Sequence, residues 1–496
     1  MKNNLKYILC SSLLVLSLAG CKKNEWLNPN PLTLITDETA FGSPERIGNQ
    51  VNGLYVNLKA TNLYGSWGVL LSDVRTGEFH SSNMNGATGA IVFSMLTQAT
   101  TSDVEDVWAA GYLAINKVNV FLEGLESKGK AVLSEEQFNQ YNAEARLIRA
   151  TSYYLLLQLY ARPYWDGKGS MPGLPLRLKG NVGPGNYDLK RSSVAETYKQ
   201  ILDDLDFAEK NLPSNYTSAA LNTTRAHKNT AIALKTRVYL SMGEYDKVIT
   251  EADKIVPAAA PFVAPTGVAN KLMGSVTEVF KAPYTSDESI FSMPFSSNDA
   301  PGSSLPRYYM PGLTDGGTPT SNGAGEYSLN VVEGIFASST WATDDDRRTS
   351  FVKVGKQSGR PWLFKFYQAS PYLDYIPVIR YAEVVLNLSE ALARSKKTVD
   401  SRSLALFNAI YSRSNQGKTY ASSDFGTLDT YLDRIIEERR IEFLGEGIRN
   451  GDLMRLGQTI PSKVKQSIPA VAPTEPNYIF PIPNSELTLN NAIKND

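Results

Sequence analysis

The chain has 496 residues, and its 50 Lys+Arg balance its 50 Asp+Glu, so the formal net charge is zero. That balance gives no electrostatic footprint for nucleic acid, so none is expected as a partner, and it favours a neutral, hydroxyl-rich ligand over a strongly charged one. With Cys10 and Cys21 as the only cysteines, and His80 and His227 as the only histidines, a disulfide framework is excluded, a thiolate or histidine zinc site has no ligand pattern, and a Ser-His-Asp triad has no support.

Residues 1–20 read as a secretory leader: Lys2 and Lys6, then an apolar run from Tyr7 to Leu18, then Ala19 and Gly20. The run is too short to span a bilayer, which takes about 20 residues. Cys10 lies inside it. Cys21 ends the stretch LAGC, which resembles the bacterial lipobox, so Cys21 is expected to carry the lipid that anchors the chain to the membrane. Residues 21–45 are polar and contain Pro29, Pro31 and Pro44, as suits a lipid-anchored tether and lead-in segment.

Residues 61–100 are rich in Gly, Ser, Asn and Thr and read as loops and short strands. A helix follows: Val104, Trp108, Gly111, Ile115, Val118, Leu122 and Leu125 alternate three and four apart, which places Trp108 in the core. Ser134 with Gln137, and Ser193 with Glu196, have the spacing of capping boxes and each opens a further apolar face. Residues 229–256 read as two helices joined at Met242-Gly243, and resemble a tetratricopeptide unit, which buries its faces only in a stack. Over 257–345 helical periodicity is lost while Phe, Tyr and Trp remain frequent, which argues against disorder. Helical patterns return at 377–396, 400–413 and 429–444. Glu438, Arg439, Glu442, Glu446, Arg449, Asp452 and Arg455 alternate in sign, the pattern of a solvated face or of ion pairs that fix the last helix. Glu437 and Glu438 adjoin and point apart on a helix, so they are no acid/base pair.

Five segments resemble one family: EARLIRATSYYLLLQLYARPYWDGKGSMPGLPL (144–176), ALKTRVYLSMGEYDKVITEA (233–252), YIPVIRYAEVVLNLSEALARS (375–395), IIEERRIEFLGEGIRNGDLMRLG (435–457) and FPIPNSEL (480–487). Together with the lipobox they resemble the SusD/RagB family, the lipoproteins of starch-utilisation-type uptake systems. The resemblance implies a mainly α, SusD-like fold: a tetratricopeptide-like helical stack with a large irregular region of loops and short strands. It implies an N-terminal helical part over 46–256 and a C-terminal part over 257–496 that carries an irregular insert at 257–370. The chain departs from the family at Tyr411, where Arg is usual, and in its IKND ending.

The resemblance further implies a lipid-anchored protein of the outer membrane, facing the cell exterior. It would capture a nutrient, most often a glycan, and deliver it to a SusC-like TonB-dependent transporter. Capture needs no catalytic residue, no metal and no cofactor, and none is expected. Asp344, Asp345 and Asp346 adjoin and lack the alternating spacing of a calcium loop. Sugar rings call for aromatic faces, and hydroxyls for amides, carboxylates and guanidinium groups. The loop residues that supply these are Trp67, Asp73, Arg75, Asn83, Asn85, Tyr308, Tyr309, Trp341 and Trp362. Two other classes compete: a lipid-anchored glycoside hydrolase, which needs two carboxylates about 5–10 Å apart across a cleft, and a tetratricopeptide-type scaffold with no small ligand and no aromatic-lined groove.

Overall fold

A computed structural model describes residues 37–81, 83 and 85–493. The leader over 1–20 and the lipid site expected at Cys21 lie outside the described residues. Helix α1 (Pro44–Leu58) starts where the Ser43 side chain accepts from the Arg46 N–H, with Pro44 at the first helical position. Helix α2 (Trp67–Val74) and strand β1 (Phe79–Ser81) follow. The helix corrects the loop reading of this stretch. Its buried Val69, Leu70, Leu71 and Val74 make one apolar cluster, too short to show a period between Gly- and Ser-rich flanks.

Helices α3 (Ser102–Lys128) and α4 (Glu135–Tyr160) are the longest pair. They close at Gly111, where a Cβ would stand 2.8 Å from Leu156 Cδ1. Both capping boxes form, Ser134 with Gln137 opening α4 and Ser193 with Glu196 opening α5 (Val194–Asn211). Helices α6 (Lys228–Met242) and α7 (Tyr245–Ala252) are joined at Gly243, whose φ of 74° is the left-handed cap that glycine adopts without strain. Each helix from α3 to α7 packs on the next.

The chain then crosses the irregular region, with strands β2 (Ser289–Met293), β3 (Tyr327–Leu329), β4 (Val352–Val354) and β5 (Pro361–Leu363), and enters β6 (Ile376–Arg380). The pairs β1–β3, β2–β6 and β4–β5 are antiparallel. The pattern at 377–396 therefore begins as strand, and its helix α8 (Tyr381–Lys396) starts only after Arg380. Helices α9 (Ser401–Ser414), α10 (Leu428–Glu442) and α11 (Ile448–Arg455) complete the stack, with α8 packed on α6, α7, α9 and α10. A helical stack with an irregular loop and short-strand region is the architecture expected from the sequence.

Apolar faces alone do not hold this stack. Arg149 on α4 forks onto Asp204 of α5 at 2.7 and 2.8 Å, and Arg237 on α6 forks onto Glu383 of α8 at 2.5 and 2.6 Å. The largest network joins the irregular region to α9 and α10. Arg380 donates to Glu288 (2.6 Å), Glu442 (2.8 Å) and Glu446 (2.8 and 2.9 Å). Arg347 reaches Glu438 and Glu442 at 2.5 and 2.9 Å, Arg413 reaches Glu288 and Glu442 at 2.6 Å each, and Lys365 reaches Glu446 at 2.8 Å. Burial pushes the Glu442 carboxyl up, but Arg413, Arg380 and Arg347 outweigh it and hold it well below the usual carboxylate range. Of the two readings of the alternating charges, the ion-pair reading holds: Glu438, Arg439, Glu442, Glu446 and Asp452 are all buried and bonded.

Candidate functional site

The loop residues expected to meet a ligand take three placements. Trp67 opens α2, half-buried, with its ring edge-on to Tyr308 at 5.6 Å between centroids. Asn83 and Asn85 are exposed, and Asn85 Oδ1 accepts from the Ala87 N–H at 2.8 Å to shape the loop that leads to Gly89. Gly89 sits against Trp67, since a Cβ there would lie 3.4 Å from Trp67 Cζ3. Trp67, Asn83 and Asn85 thus keep surface that a ligand could touch.

The other six are buried, which corrects their placement at an open surface. Asp73 accepts from the Tyr309 hydroxyl at 2.8 Å and from the Gly447 N–H at 3.0 Å. Burial raises the Asp73 carboxyl to about 8, against the pull of those two donors. Tyr309 stacks on Phe79 at 4.8 Å. Arg75 donates to the Tyr478 carbonyl at 2.6 Å and lies over the Phe480 ring. Tyr308 is covered by Trp67. Trp341 packs edge-on against Phe336, with the Arg348 guanidinium over both rings. Trp362 donates its indole N–H to Asp315 at 2.9 Å and packs with Met310 and Phe364. Segment 308–310 thereby gathers Trp67, Asp73 and Trp362 around itself; Tyr308, Tyr309 and Trp341 belong to the main apolar core, while Trp362 forms a small cluster with Met310 and Phe364. Without periodicity, these aromatics read as exposed. The irregular region instead packs into the core of the helical stack, where Tyr308, Tyr309 and Trp341 are buried, and adds a small cluster around Trp362.

Two open clefts draw on the β4–β5 hairpin. The first, about 490 Å³, is walled by Phe280, Phe351, Phe364 and Tyr367, with Lys281 and Lys353 at its exposed side. The second, about 350 Å³, takes its floor from His80 on β1 and Ser328 to Asn330 along β3, with Arg360 and Lys465 facing it. Both volumes lie within the range of small-ligand sites, about 300–1,000 Å³. The geometry can hold rings against aromatic walls and bond their substituents from Ser, Asn, Lys and Arg. Sequence reasoning missed Phe364, Tyr367, Lys353, His80 and Arg360. The only signal was their place in the loop-rich stretches 61–100 and 257–370, because the clefts form when distant loops meet. Among the described residues no group of three or more His, Cys, Asp or Glu could hold a metal ion, and no helix is long and apolar enough to cross a membrane.

With this geometry in hand, comparisons with known proteins bear on the family. The family described as "Starch-binding associating with outer membrane" matches residues 26–240, and the SusD family matches residues 365–495. A SusD superfamily protein from Bacteroides fragilis shares 32% identity at a TM-score of 0.80, covering 92% of this chain and 99% of its own. SusD-like protein P2 of Formosa agariphila is 24% identical over 98% of both chains. A laminarin binding SusD-like protein shares the fold at a TM-score of 0.72 and 20% identity, over 92% of this chain and 99% of its own. Two family matches in chain order, and a solved relative near a third identical over almost its whole length, show that this chain belongs to the SusD family.

Proposed function

We propose that the protein is a cell-surface lipoprotein, anchored through Cys21 in the outer membrane, that captures a saccharide and delivers it to a SusC-like TonB-dependent transporter. The observation that carries this reading is the pair of clefts on the β4–β5 hairpin, the first walled by aromatic rings and the second lined by polar and basic groups, in a chain of this family. The kinship in fold with a laminarin binding protein supports a saccharide as the ligand class. Trp67, Asn83 and Asn85 are proposed as further contacts, since they keep surface next to the same loops. The aromatic-walled cleft favours this reading over a scaffold without a small ligand.

A glycan array probed with the full chain in detergent tests the capture. Binding to at least one saccharide class is expected, with no product formed on long incubation. Binding to none would sink the reading, and steady release of shorter saccharides would replace it with a hydrolase. Purification of the tagged chain in mild detergent should bring an outer-membrane barrel with it, through an interface above about 1,000 Å². Repeated recovery of the lipoprotein alone from cells that make the barrel would refute the delivery step.

A further inference from the structure

The two clefts share a feature that the neutral whole-chain charge hides. Lys281 and Lys353 line the first, Arg360 and Lys465 line the second, and neither lining contains a carboxylate. Among the described residues none of these four side chains makes an ion pair or a hydrogen bond. Lys353 meets only the Phe364 ring, at 4.3 Å. In the interior the protein does the opposite with its cations: Arg149, Arg237, Arg347, Arg380, Arg413 and Arg455, whose side chains are all buried, are each forked or clamped onto acids.

Of the acids near the clefts, Glu278 is exposed beside the lining residues Thr277 and Phe280 but does not itself line the first cleft, while Asp315 and Glu333 are already engaged. Asp315, behind the hairpin turn, accepts from the Gln357 and Ser358 N–H groups, the Ser358 hydroxyl and the Trp362 indole. Glu333 accepts from Asn330 Nδ2 at 2.9 Å and from the Val464 N–H at 3.1 Å. Lys365, also in the wall of the first cleft, is neutralised by Glu446. Burial, with Arg360 and Lys465 next, holds the His80 imidazole below its usual range while Glu333 pulls the other way, so the field at the second cleft is on balance positive.

We infer that the ligand is an acidic saccharide, with its rings against Phe364 and Tyr367 and its carboxylate or sulfate groups on Lys281, Lys353, Arg360 and Lys465. This rests on the reading of the protein as a saccharide-capture lipoprotein and adds the charge of what is captured. Charge at the ligand substitutes for the carboxylates that the clefts lack, and exposed cations next to aromatic walls give both orientation and attraction.

The test is calorimetry on the full chain in detergent with three probes: oligogalacturonate for carboxylates, carrageenan oligosaccharides for sulfates, and laminari-oligosaccharides as the uncharged reference. At least one acidic probe should bind about tenfold or more tighter than the neutral one, and which of the two does so identifies the acid group. That affinity should fall as salt rises from about 0.05 to 0.5 M, where screening shortens to a few ångströms. The double variants Lys281→Met/Lys353→Met and Arg360→Met/Lys465→Met should each weaken it by about tenfold, the loss expected with a charge-assisted hydrogen bond. Lys199→Met, which removes an exposed lysine paired with Asp203 on α5, is the control and should not. Neutral and acidic probes bound equally well would overturn the charge assignment and leave saccharide capture standing, as would acidic binding untouched by both double variants. Binding to no saccharide of any kind would overturn the capture reading itself.

Discussion

Arg380→Met tests whether the buried charge network ties the irregular region to the helical stack. Arg380 is 1% exposed and makes charge-assisted hydrogen bonds to Glu288, Glu442 and Glu446, with a further bond to the Glu442 carbonyl at 2.9 Å. Methionine replaces the stem but not the guanidinium. Glu446 then keeps only Lys365, and Glu288 keeps the Met273 N–H and, as its one cation, Arg413, which Glu442 also uses. The network is left with one buried negative charge in excess, and such a loss costs about 3–5 kcal/mol. Against a typical total of about 5–15 kcal/mol, that is a large fraction. Urea denaturation followed by circular dichroism should show a midpoint shift of that size. Lys199→Met, which breaks an exposed pair, should stay within about 1 kcal/mol. Adding Glu446→Gln to Arg380→Met removes the surplus charge, so the double variant should lose less than the two single losses together. A loss under about 1 kcal/mol for Arg380→Met, or strict additivity in the double variant, would refute the argument.

Trp341→Ala and Trp362→Ala each empty a buried ring site and should cost about 3–5 kcal/mol, as should Trp108→Ala in the helical stack; thermal melts at unchanged ligand affinity per folded molecule would confirm it, and an unshifted melt would contradict it. Asp73 holds its proton up to about 8 in the folded chain against about 3.8 when unfolded, so its contribution is full below about pH 4 and is lost as pH rises towards 8. Asp73→Asn should therefore flatten the fall in stability between those limits, and an unchanged pH profile would rule this account out. Cys21→Ala should abolish incorporation of a labelled fatty acid, and label that persists in the variant would defeat the lipobox reading.

By itself the sequence determined most of the long helices and the family, though not the short helix Trp67–Val74. Ser134, Ser193 and Gly243 act within a few residues of themselves, and the three-and-four spacing of Val104 to Leu125 is a property of one helix, so local pattern suffices to read them. It did not separate buried from exposed in the irregular region. Tyr309, Trp341 and Trp362 fall among Gly, Pro and Ser with no period, and what buries them are Asp73, Phe336 and Asp315, between 5 and 236 residues away. The same holds for the charges: Glu442 looks like one member of a surface ladder until Arg347, Arg380 and Arg413 arrive from three other segments. Only the tertiary structure decided which cations are paired and which are free, because pairing depends on which distant loops meet. For that reason a chain of zero net charge presents two clefts with lysine and arginine and no acid.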